Sequence, residues 1–440
     1  MDGLEFYMYQ DLSNSTSTLY NIEPIGIGTD YCESITSYLV RLSELHLIKP
    51  GDLINRVIAP LLKKEYLTQS AIYGGNRFFD GAKTLNGVSK NSFDIVDALE
   101  KLTFRNDLLN LTLQKWNPVF SCRGLLKGSL SWCPNCLEEF NADLGFYYYP
   151  LIWFMQPVKC CIKHNILLVG ECFYCNKKVP VLHRSSNNGR CPYCGEVLSQ
   201  AELTRIDDSE IEKERYIVEN IGKLIAFSEN LEYKLNRGVI CLKLRQIDEF
   251  YRKELQKSLL AILGVPKVTF YDWLRGESIP TLESITNICY SIGISLFEFF
   301  FEDALNPSIT TKKISRKTPS NKRRKLDYIQ LEETLISYLN KDIPMSMEAI
   351  AKEISVSKRT LYRLFPVKCK ELSKKHQDLI KLRSKERKNE VIQLIDKSIK
   401  ELTEHGERIS QKNIENHLSA NALIREKFAK EYLDKILENF

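Results

Sequence analysis

At 440 residues the chain exceeds one ordinary core, and about three domains is the expectation from length alone. Its 43% hydrophobic and 27% charged residues are those of a globular protein. The longest apolar run, Phe146–Met155, is about half what a membrane span needs, so an integral membrane protein is excluded as the expectation. The net charge of +6 is unevenly spread: residues 311–440 hold 30 Lys and Arg against 19 Asp and Glu, a net of +11 that leaves −5 for the first 310. A polyanion would bind the C-terminal third. The opening MDGLEFYMYQD is acidic and lacks a basic-then-apolar signal pattern, so the expected location is cytoplasmic.

Residues 1–30 are polar and show no helical period. From Glu33 the spacing of Ile35, Tyr38, Leu39, Leu42 and Leu45 predicts a helix, with Thr29 or Asp30 as its cap. A second apolar-periodic segment, DLINRVIAPLLKK, is expected to break at Pro60, and FDIVDALEKLT predicts another helix. Between them, GNRFFDGAKT has five residues between its glycines and an Ala before Lys83. A phosphate loop needs four and an immediate Lys, so this stretch reads as a turn-rich connection. Residues 1–121 form a small helical domain on this reading.

Residues 122–200 carry most of the 13 cysteines. CPNC, CIKH, CFYC and CPYC give four pairs of ligands, each pair separated by two residues, a gap that presents both on one side of a single backbone turn. The first two pairs supply Cys133, Cys136, Cys161 and His164; the last two supply Cys172, Cys175, Cys191 and Cys194. Each set is a complete tetrahedral shell for a structural Zn²⁺, with no position left for a reacting water. Two zinc ions are expected, with sequential and crossed pairing both open. Cys160 is a rival to Cys161, and His183 is read as surface or core.

Residues 201–304 predict a helical domain. Within it LGVPKVTFYDWLRGESIPTLESI reads as a helix ending at Gly264, a turn through Val265 and Pro266, and a second helix with Phe270 and Leu274 inward. This resembles a repressor-type helix-turn-helix. Position then assigns Lys267, Val268 and Tyr271 to base edges and Arg275 to a phosphate. Residues 305–325 form a basic linker in which Lys322, Arg323, Arg324 and Lys325 would meet phosphate. Residues 326–440 contain a second unit, MEAIAKEISVSKRTLYRLFP. Ala351 allows a close helix crossing there, Ser355 stands where Gly is expected, Lys358, Arg359 and Tyr362 face DNA, and Arg363 faces the backbone. RISQKNIENHLSANALIREKFAK is a third, fainter candidate. The fold class is therefore mainly α: an N-terminal helical domain, tandem zinc modules of short strands and loops, and C-terminal helix-turn-helix domains. No GxSxG or HExxH occurs, and a non-enzymatic protein is expected.

The order of these parts resembles the TniQ/TnsD family of transposon target-selection proteins. The resemblance rests on Glu33, Ser34, Ser37, Tyr38, Leu39 and Arg41 of an E-S-x-x-S-[WY]-L-x-R pattern, followed by CPxC, CxxH, CxxC and CxxC in that order, with Leu167 serving after the CxxH. It implies a target-selection protein that binds double-stranded DNA and recruits a TnsC-like AAA+ ATPase regulator and, through it, a transposase. Some members of the family read an attachment site themselves; others are delivered by a CRISPR effector complex. A zinc-containing helix-turn-helix transcription regulator is the rival reading.

Overall fold

The computed structural model describes residues 17–62, 64–65, 77–231, 235–263, 265–303, 305, 307–309, 327–341, 343–418 and 427–437. Gly264 and Lys322–Lys325 lie outside them. The chain divides into two compact units, Met1–Ser315 and Arg316–Phe440. Both are helical, and among the described residues the only strands longer than a single bridge are β1 (Cys160–Cys161) and β2 (Ile166–Leu167), an antiparallel pair.

The first unit opens with α1 (Ile35–Leu45). Its cap is Ser34, not Thr29 or Asp30. Ser34 has the extended backbone of an N-cap and its side chain accepts from the Ser37 N–H, whereas Thr29 bonds back to Gly26 within the preceding turn. The helix is buried from Ile35 to Ser43, on its polar side as well as its apolar one. The next segment does not break at Pro60. A helical turn at Pro50–Leu53 passes into a π turn at Ile54–Ile58 and then into Ala59–Leu61, which contains Pro60. The wider i→i+5 register just ahead of the proline accommodates its missing N–H. Of the stretch read as a turn-rich connection, Arg77–Gly81 is a short helix and Ala82–Thr84 a 3₁₀ turn. α2 (Lys90–Thr103) follows, capped by Ser89 and closed by Phe104 in the left-handed conformation.

α3 (Pro134–Leu144), β1 and β2 build the cysteine region, and α4 (Ile211–Phe227) and α5 (Arg237–Leu255) follow it. Then come α6 (Leu259–Leu263), α7 (Lys267–Arg275), α8 (Leu282–Ile292) and α9 (Leu296–Phe301). One hydrophobic cluster runs through all of these segments, from Leu19 to Phe300. Trp116 and Trp132 are fully enclosed in it, and each indole N–H finds a distant acceptor: Ser228 Oγ at 2.8 Å and the Leu198 carbonyl at 2.7 Å. The cysteine region is thereby built into the wall of a common core.

The second unit contains α10 (Tyr328–Leu339), α11 (Met347–Glu353), α12 (Lys358–Leu364), α13 (Pro366–Glu404), α14 (Gln411–Leu418) and α15 (Lys427–Leu437). Among the described residues it has two separate cores. Leu335, Met347, Ile350, Leu361, Cys369 and Leu372 close a bundle at the start of α13; Val391, Ile395, Leu402, Ile414 and Leu433 close another at its end. The 39-residue α13 is the shaft between them.

Candidate metal centres and exposed helical faces

The four ligand pairs assemble sequentially. Cys133, Cys136, Cys161 and His164 form one cluster; Cys172, Cys175, Cys191 and Cys194 form the other. In the first, Cys133 caps α3, Pro134 occupies the first helical position where no N–H is needed, and the opening turn brings Cys136 round to the same side. Cys161 ends β1 and His164 lies in the turn that leads to β2. His164 Nδ1 stands 3.4 Å from Cys133 Sγ, 3.3 Å from Cys136 Sγ and 3.6 Å from Cys161 Sγ. Ligands about 2.0–2.3 Å from one tetrahedral ion are roughly 3.3–3.8 Å from each other, so the donors fit a single metal. Hydrogen bonds from Cys133 and Cys136 lower the Cys161 thiol below its usual range.

Behind this set lies a residue that ligand spacing did not reveal. Glu139 Oε1 is 3.1 Å from His164 Nε2, and its other oxygen accepts from Lys163 Nζ at 2.7 Å. A carboxylate on the far nitrogen fixes the tautomer that leaves Nδ1 free to ligate. Its position three residues after Cys136 on a helix, hence on the same face, was the available signal.

The second set is two backbone knuckles. Asn176 and Gly195 each follow the second cysteine of a pair in the left-handed conformation, and their N–H groups return to the carbonyls of Cys172 and Cys191, both at 2.9 Å. Cys172 Sγ lies 3.6 Å from Cys194 Sγ, and Cys175 Sγ 3.7 Å from Cys191 Sγ. Cys160 belongs to neither set: neighbours on a strand point to opposite faces, and burial pushes its thiol up to about 12. His183 is half-buried, accepts at Nδ1 from the Ser185 N–H, and lies against the Tyr193 ring.

The E-S-x-x-S-Y-L-x-R residues form a buried polar hub. The carboxylate of Glu33, fully enclosed, accepts from Arg41 at 2.7 and 3.2 Å, from Ser37 Oγ at 3.0 Å and from the Ile25 N–H at 3.3 Å. Burial raises its pKa, and the Arg41 guanidinium opposes that rise. Ser37 Oγ also accepts from the Tyr149 N–H, and the Ser37 carbonyl accepts from Asn188 Nδ2 at 3.1 Å. Helix α1 is thus fastened to the loop that enters the second metal set.

The residues read as DNA-facing are placed unevenly. On α7, Lys267 and Val268 are exposed, Val268 at 72%, and Tyr271 is half-buried under the Lys267 ammonium. Arg275 is engaged by Asp272 at 2.6 Å and Glu277 at 2.7 Å. The inward residues of α7 are Phe270 and Trp273; Leu274 is half-buried. In the second unit, α11 and α12 are joined through Ser355, which holds the left-handed conformation (φ +53°). Lys358, Arg359 and Arg363 are exposed, with Lys358 paired to Glu348. Tyr362 lies against its bundle core, its hydroxyl 2.5 Å from Ser373 Oγ.

The two four-residue clusters, walled into a helical core, could each hold a metal ion. Residues 24–168 match the family model TniQ. No curated protein matches the chain. The match spans the buried hub and the first metal set. None of the described helices is long and apolar enough to cross a membrane.

Proposed function

We propose that this protein is a DNA-binding target-selection component of a transposition system. It carries two structural zinc ions, reads duplex DNA through α7 and α12, and recruits a AAA+ ATPase regulator and transposase. The observation that carries this reading is the joining, in one chain, of a TniQ domain to two short helices with solvent-facing Lys267 and Val268, and Lys358 and Arg359. Zinc is the metal the donors favour: a thiolate-rich set with one imidazole and a set of four thiolates are both tetrahedral zinc shells. The ion is structural, because every ligand position is filled by protein.

The test is binding to the element's insertion-site DNA and to random duplex, with the Lys358→Ala/Arg359→Ala variant alongside the unaltered chain. Each lost base contact should cost roughly 1–3 kcal/mol on the true site with little change on random DNA. An unchanged affinity for the site would transfer the reading step to an RNA-guided complex and make these helices protein-docking surfaces. A footprint adjoining the insertion point that depends on the ATPase separates this function from transcription regulation. The purified chain should show no ATP hydrolysis and no DNA cleavage.

A further inference from the structure

Between Leu372 and Val391 no residue of α13 is buried. A helical stretch of this length with no fully buried residue either bridges two bodies or presents its surface to something else. Its charges are not scattered. At about 100° per residue, Lys370, Lys374, Lys381, Lys385 and Lys388 fall within a sector of about 60°, extending about 27 Å along the helix. All five are exposed. Cys369 and Leu372, which pack into the first bundle, lie on the far side of the helix. Asp378, the acidic residue nearest the sector, stands at its edge, 3.9 Å from Lys381. Lys388 rests over the Phe428 ring at 5.5 Å. Among the described residues, Lys370, Lys374 and Lys385 form no ion pair.

We propose that this lysine stripe is a non-specific contact surface for the phosphate backbone of duplex DNA, separate from the base-reading helices. The proposal rests on the DNA-binding reading above and adds the surface that sets affinity and salt dependence. Charge complementarity chooses the occupant. A row of ammonium groups along one exposed side of a helix matches a regular line of phosphates, and lysine serves phosphate as a point charge needing no fixed geometry.

The experiment measures affinity against salt concentration for site and random duplexes, using the full chain and two variants. Lys374→Gln/Lys381→Gln/Lys385→Gln removes three stripe charges with little change in helix propensity, which circular dichroism checks. Arg383→Gln removes one charge from the opposite face. The slope of log K against log salt should fall by about 2.7 for the triple variant, at about 0.9 per lost phosphate contact, equally on both DNAs. Arg383→Gln should leave it unchanged. An unaltered slope in the triple variant would reduce the segment to a spacer while leaving the DNA-binding reading intact. An equal loss per charge from Arg383→Gln would show that net charge alone acts, and would also overturn the stripe. If the unaltered chain binds no duplex at any salt, both readings fall together.

Discussion

Glu33 is a carboxylate with no exposed surface whose charge is met by Arg41. Removing one partner of such a pair leaves an isolated buried charge, so Arg41→Met should destabilise the first unit by about 3–5 kcal/mol in denaturant unfolding. The double change with Glu33→Gln should cost clearly less. Glu44 makes a pH prediction. Burial raises its pKa to about 7 despite the N–H of Asn188 at 2.8 Å. A folded value above the unfolded 4.5 means its favourable contribution is complete below about pH 4.5 and is lost as pH rises through 7. Glu44→Gln keeps an acceptor for that N–H, so it should raise the melting temperature more at pH 8 than at pH 5, by the equivalent of roughly 2 kcal/mol. The eight residues that cluster were legible from type and spacing, whereas their sequential grouping and the exclusion of Cys160 were not. The hub was legible only as a pattern. Its physical sense depends on Tyr149 and on Asn188, which lies 151 residues from its partner Ser37, a separation no local reading spans.

Elements were read well where apolar period dominated and less well at their ends. α1, α2, α7 and α12 stand where the periodicity put them, but the cap of α1 is Ser34 because cap identity is decided by one residue's backbone angles. The helix through Pro60 shows the opposite limit: a proline rule read locally overlooks a change of helical register just upstream. Ser355 links α11 to α12 in a conformation that costs an L-residue about 1–2 kcal/mol. Ser355→Gly should therefore stabilise the second unit by up to about 1 kcal/mol, the remainder being lost to glycine's greater unfolded freedom. A shift in its urea midpoint at constant slope would confirm it; an unchanged or lower midpoint would refute it.

At the scale of the whole molecule, both metal sets lie in the first unit and neither in the second. Unfolding should therefore show two transitions, only one of which moves when metal is stripped by a chelator. Elemental analysis should return two zinc ions per chain, and Cys172→Ser or Cys191→Ser should abolish the metal-dependent transition, since such sites supply much of the folding free energy of their surroundings. A chelator that lowered both transitions equally would contradict the division. In the first unit one cluster of buried hydrophobic residues runs from Leu19 to Phe300.

The bond between Ser37 and Asn188 also sets a timetable. A ribosome adding about 5–20 residues per second delivers Asn188 roughly 8–30 seconds after Ser37. Throughout that interval α1 has its apolar side ready but lacks the Asn188 amide that donates to Ser37 and the knuckle that follows it. On the two-zinc reading, the contact between α1 and the second cysteine cluster is completed only after Cys191 and Cys194 have been made. Zinc supply during synthesis, and a chaperone to shelter the waiting chain, should govern how much of this protein a cell recovers intact.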